Sequence, residues 1–173
     1  MKVFMIGGTG LLGSQAAAEQ IVNSKKSILY PKGGSSMVTV KQVGQAIAGA
    51  IELNHGGHCY PIGYYNKTWI ELLTVASKAL GYPDKKVTTI PDFLYKLGSA
   101  QLMKEQKKKN IEGRLHMVKF SALQCSNLFI DKSEGAEKLG VRPDDVDAAI
   151  ADSMKLCKDI MESRVNAISM KGE

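Results

Sequence analysis

The stretch VFMIGGTGLLGSQAAAEQI, residues 3–21, begins as an apolar run, passes through a glycine-rich turn and continues into an alanine-rich segment. Residues 2–6 have the composition of a buried strand, and residues 11–22 carry apolar side chains at helical spacing. A strand that leads through glycines directly into a helix is typical of the first unit of an α/β fold. We therefore expect the chain to begin with a βα unit.

Three glycines of this turn, Gly7, Gly10 and Gly13, stand in GxxGxxG spacing. In such a turn one glycine permits the tight bend, one lets the backbone approach a pyrophosphate, and one allows close packing of helix on strand, while free N–H groups of the helix attract the phosphates. The spacing favours a dinucleotide site over a glycine-rich turn without a ligand. The predicted site consists of Gly7, Thr9, Gly10, Leu11, Leu12 and Gly13.

Length and composition are those of a soluble globular protein with one domain, or one domain and a small appendage. The chain has 173 residues, of which 44% are hydrophobic and 23% charged, with a formal net charge of +6. No run approaches the ~18 apolar residues of a membrane helix, and Gly7 and Gly8 interrupt the first apolar run before it reaches the ~7 to 15 residues of a signal-peptide core. Its 3 cysteines are widely spaced, which favours reduced thiols. We expect a cytoplasmic protein with no membrane partner.

Strands and helices alternate along the rest of the chain. Residues 37–52 read as a β-branched strand that runs into a helix. Thr68 and Glu71 form a capping box that starts a helix ending at Gly81, and Asp131 with Glu134 caps a brief helix ending at Leu139 and Gly140. Strands are further expected in residues 27–30, 59–62, 87–90 and 128–130, and helices in residues 92–109, after Pro91, and 142–163.

The sequence resembles the extended short-chain dehydrogenase/reductase family, which contains the NAD-dependent epimerases and dehydratases. VFMIGGTGLLG is similar to its N-terminal signature. The later matches are residues 37–52 with a late strand and helix, 56–83 with the segment that follows, and 87–94 and 137–157 with parts of the smaller substrate-binding lobe.

The resemblance implies a Rossmann-like parallel sheet flanked by helices in residues 1–90 and a small, mostly helical C-terminal substrate-binding lobe in residues 91–173. It also implies NAD or NADP as cofactor, and hydride transfer on a sugar nucleotide or similar small molecule. The family's central units, which carry a Tyr-x-x-x-Lys pair, have no match in context. We therefore expect an internal truncation near residues 21–30 and assign no catalytic residue.

Tyr82 and Lys86 match Tyr-x-x-x-Lys literally, but GYPD reads as a helix stop and a turn, so the pair lacks the helix on which both side chains would share a face. Tyr64 and Tyr65 have the wrong spacing from Lys67. These tyrosines are therefore not expected to be catalytic.

The remaining candidates have structural interpretations. His55, His58 and Cys59 are more typical of a surface loop than of a metal site, because no second cluster complements them.

Lys32 would favour NADP if residues 27–30 were the family's second strand, and the choice of coenzyme stays open. Residues 104–110, KEQKKKN, favour a solvated helix end over nucleic-acid binding, with contact to a substrate phosphate as a further hypothesis. Cys125 and Cys157 are expected to be structural thiols.

Two functions follow from these observations. The first is an NAD(P)-dependent oxidoreductase or epimerase. The alternative is a non-catalytic dinucleotide-binding or remnant protein that acts through binding or self-association, because a shortened parallel sheet leaves apolar strand faces without covering helices. Either way, a homo-oligomer is expected.

Overall fold

The structure is a computed structural model that describes residues 17–19, 21–24, 27–53, 56–108 and 116–162. The strands are β1 Ser27–Pro31, β2 Gly34–Met37, β3 Tyr65–Thr68, β4 Lys86–Ile90 and β5 Asn127–Leu128. The helices are α1 Val40–Leu53, α2 Trp69–Ala79, α3 Asp92–Lys108, α4 Met117–Gln124 and α5 Val146–Met161, with a short 3₁₀ helix at Lys132–Glu134. Residues 17–19 and 21–23 are also helical. The α/β class is confirmed.

The described strands form two small sheets. β1 and β4 pair in parallel, from Ser27 opposite Lys86 to Pro31 opposite Ile90. In the other sheet β2 lies between β3, which runs antiparallel to it, and β5, which runs parallel. The fold therefore contains a small parallel sheet with flanking helices, as predicted, together with a mixed sheet that the pattern of alternating strands and helices did not indicate.

The larger hydrophobic core lies between α2, α5 and the β1–β4 sheet. α2 packs against α5 and contacts both strands. The buried side chains of this cluster are Ala18, Ile21, Ile28, Leu73, Ala76, Leu80, Met154 and Cys157. They come from both sides of the predicted domain boundary at residue 90, and that boundary stays a prediction.

A second core cluster joins α1 to the segment before α5. It consists of Ala46, Ala136, Leu139 and Val141. The approach is close, because a Cβ added to Gly49 would lie 2.1 Å from the carbonyl oxygen of Leu139. Ala46 and Gly49 of α1 therefore serve close packing here.

The capping box that predicts α2 is present. The Thr68 hydroxyl accepts from the Glu71 N–H at 3.3 Å, and the Glu71 carboxylate accepts from the Thr68 N–H at 2.7 Å. The helix ends before Gly81, whose φ of 91° lies in the left-handed region. The predictions for α2, α3, α5, β1 and β4 are confirmed to within a few residues.

The strand expected at the start of residues 37–52 lies earlier, at Gly34–Met37. The cause is a second capping box. The Thr39 hydroxyl accepts from the Gln42 N–H at 3.2 Å, and the Gln42 amide oxygen accepts from the Thr39 N–H at 3.0 Å. Because these contacts begin α1 at Val40, the β-branched residues that favour a strand belong to the helix start.

The strand expected in residues 59–62 is also displaced, to Tyr65–Thr68. Pro61 has no N–H to give to a strand ladder. Its carbonyl oxygen instead lies against Gly135, where an added Cβ would come within 2.1 Å of it. Residues 58–64 belong to no helix or strand, and the chain joins β2 from the Tyr64 N–H, which donates to the Met37 carbonyl oxygen at 3.2 Å, onward.

Two short elements near residue 130 differ slightly from expectation. The strand lies at Asn127–Leu128, about one residue early, where it pairs with Gly34 and Ser35. The helix capped by Asp131 is a single 3₁₀ turn, Lys132–Glu134, and the chain continues as turns to Gly140.

Candidate functional site

The residues predicted to bind the dinucleotide, Gly7, Thr9, Gly10, Leu11, Leu12 and Gly13, lie outside the described residues. The helical residues that follow them in the chain are described from residue 17 onward. Ala18 and Ile21 are fully buried and belong to the same cluster as Ile28 of β1. These helical residues thus pack beside a parallel strand pair, which is the setting of a phosphate-binding turn in α/β folds.

The Tyr-x-x-x-Lys match does not lie on a helix. Tyr82 follows the end of α2, where its N–H donates to the Ser77 carbonyl oxygen at 2.9 Å, and Lys86 is the first residue of β4. The neighbouring Lys85 lies over the Tyr82 ring, 4.4 Å from its centroid. The turn predicted from GYPD is confirmed, and Tyr82 acts in closing the helix.

Tyr65 and Lys67 line an open cleft of about 540 Å³ between β3 and the start of α5. Lys67 forms an ion pair with Asp147 at 2.8 Å. The Tyr65 hydroxyl accepts from the Asp144 N–H at 2.7 Å and donates to the Asp144 carbonyl oxygen. Because both hydrogen-bonding functions of the hydroxyl are used by backbone, Tyr65 anchors the start of α5 to β3.

Asp144 also links the start of α5 to the start of α1. Its carboxylate accepts from the Thr39 hydroxyl at 2.6 Å and lies 3.8 Å from the Lys41 ammonium. The hydrogen bond from Thr39 and a backbone N–H keep the pKa of Asp144 below its ordinary value. A carboxylate held in its ionised form by neighbouring donors is poorly suited to accept a proton near neutral pH. The cleft is therefore chiefly a structural junction.

An amide at the end of α4 connects two tyrosines. The Gln124 side chain donates to the Tyr30 hydroxyl at 2.6 Å and accepts from the Tyr95 hydroxyl at 2.9 Å. The Trp69 indole N–H donates to the Gln124 carbonyl oxygen at 2.7 Å. We call these four residues the Gln124 junction; they join β1, α2, α3 and α4.

Burial is the main cause that raises the pKa of both Tyr30 and Tyr95, and for Tyr95 the neighbouring Tyr30 adds to it. Both phenols therefore stay neutral over the physiological range, and neither is activated as a base. Sequence reasoning missed this junction. No sequence pattern indicates it, since its members are 94 residues apart at the widest.

The histidine and cysteine candidates form no metal centre in the described part of the chain. His58 and Cys59 are exposed, and His55 lies outside the described residues. Among described residues, no group of at least three His, Cys, Asp or Glu side chains is arranged to hold a metal ion. Cys157 is buried, as expected, and burial raises the pKa of its thiol. Cys125 is half-buried, and burial with the nearby Asp92 raises its pKa too.

The lysine-rich stretch is a solvated helix end over its described residues. Lys104, Lys107 and Lys108 are exposed in the last turns of α3, while residues 109 and 110 lie outside the described part. Lys32 is exposed between β1 and β2. Over the described ranges, no helix is both long and apolar enough to cross a membrane.

Comparisons of the chain with protein-family models, with curated proteins and with solved structures find no match.

Proposed function

We propose that this protein binds NAD or NADP through the glycine turn at residues 7–13. The observation that carries the proposal is the spacing of Gly7, Gly10 and Gly13 between an apolar run and a helix-forming segment. The burial of Ala18 and Ile21 against Ile28 supports it, because this interaction is expected where a phosphate-binding helix packs on its sheet.

From the resemblance to extended short-chain dehydrogenases, the proposed chemistry is that of an oxidoreductase or epimerase. Nicotinamide would exchange hydride with a hydroxyl-bearing carbon of a sugar nucleotide or similar small molecule. In this proposal residues 1–90 form a Rossmann-like part, residues 91–173 form the substrate-binding lobe, and the protein acts in the cytoplasm.

A second candidate function is a non-catalytic dinucleotide-binding protein that acts as a homo-oligomer. Two observations favour it. Tyr82 lies after the end of α2 and Lys86 lies on β4, and the Tyr65 hydroxyl is hydrogen-bonded to the backbone of Asp144. Neither arrangement leaves a tyrosine hydroxyl beside a lysine on one helix face, as proton transfer in this family requires.

The test of binding is a titration of the protein with NADH and with NADPH, followed by calorimetry or nicotinamide fluorescence. We expect Gly7→Val and Gly10→Val to abolish binding, because each adds a branched side chain where the pyrophosphate must approach the backbone. Gly56→Val is the matched control: a Cβ at this loop glycine meets no atom within 4 Å. Absence of binding to both coenzymes, or equal binding by all three variants, would refute the proposal.

The two candidates differ in turnover. Hydride transfer, measured by nicotinamide absorbance with sugar nucleotides as substrates, would support the enzyme. Tight coenzyme binding without hydride transfer to any of them would support the non-catalytic protein.

A further inference from the structure

Helix α3 directs its large apolar side chains to solvent. Phe93 is 68% exposed, Leu94 47%, Leu97 66% and Leu102 51%. In this helix, all of whose residues the structure describes, only Ser99 is buried. A helix that packs on a core normally shows the opposite distribution, so the exposed apolar side chains of α3 indicate a contact surface.

Tyr95 attaches the inner side of α3 to the protein. Its hydroxyl donates to the Gln124 side chain of α4 at 2.9 Å, and its ring centroid lies 5.7 Å from that of Tyr30 in β1. α3 also packs along α4. The four exposed apolar residues are therefore not what holds the helix in place.

The exposed side of α3 combines apolar and cationic groups. At about 100° per residue, Phe93, Leu94 and Leu97 lie within one arc of roughly 100°. Lys104 and Lys108 continue that arc at about 10 and 16 Å from Leu97 along the helix axis. We call these five residues the α3 outer face. Two further lysines of this helix, Lys96 and Lys107, are also exposed, and the helix contains two acidic residues, Asp92 and Glu105.

The charge of this face selects among partners. A second copy docked along the whole of this face would leave the lysines without acidic partners, because they would meet lysines in a parallel pair and Phe93 and Leu97 in an antiparallel pair. An anionic bilayer surface is complementary to this face, because its phosphates would pair with the lysines while Phe and Leu side chains enter the acyl boundary. Nucleic-acid grooves would instead favour aromatic platforms interleaved along the basic track.

We propose that the α3 outer face docks on an anionic lipid surface. Phe93, Leu94 and Leu97 enter the headgroup region, and Lys104 and Lys108 contact lipid phosphates. The contact is peripheral, it is independent of the glycine turn, and it departs from the sequence-based expectation of no membrane partner, which considered only segments that could span a membrane.

The experiment is co-sedimentation of the full chain with vesicles of phosphatidylcholine alone and of phosphatidylcholine mixed with phosphatidylserine. We expect binding to the mixed vesicles only, weakening with salt. Phe93→Ser with Leu97→Ser should reduce the partition coefficient more than about tenfold. Lys104→Gln with Lys108→Gln should reduce it by about fivefold per lysine.

Matched controls make the same chemical changes elsewhere on the surface. Ile51→Ser with Leu156→Ser removes apolar groups that are 56% and 43% exposed, and Lys138→Gln with Lys158→Gln removes two exposed charges. These variants should bind nearly as the unchanged protein does. Thermal unfolding of each variant establishes that it is folded.

Failure to bind mixed vesicles would overturn the proposal, as would binding that the α3 and control variants weaken equally. A dimer in size-exclusion chromatography that Phe93→Ser with Leu97→Ser converts to monomer would assign the face to a second copy and overturn it as well. Coenzyme titration is unaffected by any of these outcomes, so the proposed function is judged separately.

Discussion

Helices α2 and α3 follow one another in the chain, yet they are held in different ways. α2 buries Leu73 and Ala76 in the main core, and it packs on α5 and the parallel strands. α3 buries Ser99 alone, and its Tyr95 hydroxyl binds Gln124, while Phe93 and Leu97 face solvent. The comparison shows that a helix start is a local property, whereas the side that a helix buries depends on what lies beside it.

The largest difference in the free energy of unfolding is expected between alanine variants of two leucines. Leu73 is 3% exposed on α2, and Leu97 is 66% exposed on α3. Leu73→Ala should lower the free energy of unfolding by about 2–5 kcal/mol through lost burial and a cavity, and Leu97→Ala by less than about 0.5 kcal/mol. Urea denaturation measures both. Similar losses of stability for the two variants would contradict the view that α2 is held by its buried side and α3 is not.

The Gln124 junction gives the next effect. Gln124→Ala should cost roughly 1–3 kcal/mol, because it leaves the half-buried hydroxyls of Tyr30 and Tyr95 without their amide partner. Gln101→Ala removes an exposed amide from α3 and should change stability by less than about 0.5 kcal/mol. A small loss for Gln124→Ala would show that α3 depends on other contacts.

The cap of α2 is expected to contribute less. Thr68→Ala should cost about 1 kcal/mol, since the Glu71 N–H loses its acceptor. Ser153→Ala, an exposed mid-helix change on α5, serves as the control and should not destabilise. A loss no larger than that of the control would contradict a working cap.

The same cap has a pH signature. The Thr68 backbone N–H, followed by its hydroxyl, lowers the pKa of Glu71. A lowered pKa contributes stability above the unfolded-state value of about 4.3 and loses it as pH falls through the folded-state value. In Thr68→Ala the pKa of Glu71 should rise partway, because the backbone donor remains, and NMR titration of that carboxyl would measure the change.

The smallest effect is a stabilisation of α3. A Cβ at Gly98 meets no atom within 4 Å, so Gly98→Ala should raise the free energy of unfolding by about 0.5–1 kcal/mol through helix propensity. Gly49→Ala on α1 should have the opposite sign, because its Cβ would lie 2.1 Å from the Leu139 carbonyl oxygen. Equal signs in thermal unfolding would contradict the open outer side of α3.

Elements with local signals were predictable. Thr68 with Glu71, and Pro91, mark two helix starts by interactions within one turn, and α2 and α3 begin where expected. Thr39 with Gln42 is a capping box of the same kind, and it is the local signal for the start of α1. The β-branched residues of MVTV favoured a strand at the same position, so the helix start was not predicted.

The contacts around the cleft and at the Gln124 junction could not be predicted from local sequence signals. The anchoring of Asp144 by Tyr65 and Thr39 spans up to 105 residues, and the Gln124 junction spans 94. Neither can be read from spacing. The dinucleotide site of Gly7 to Gly13 rests on the sequence alone and stays a prediction.

The sequence by itself determined the α/β class, the ends of several helices and strands, and the glycine turn as a dinucleotide-site prediction, because these depend on contacts within a few residues or on the local patterning of apolar residues. Only the tertiary structure decided that β2 pairs with β3 and β5, that Tyr65 serves as an anchor, and that α3 faces solvent with Phe93, Leu94 and Leu97. On a helix, the same apolar side chains satisfy a core or an interface, and the neighbours available in space select between them.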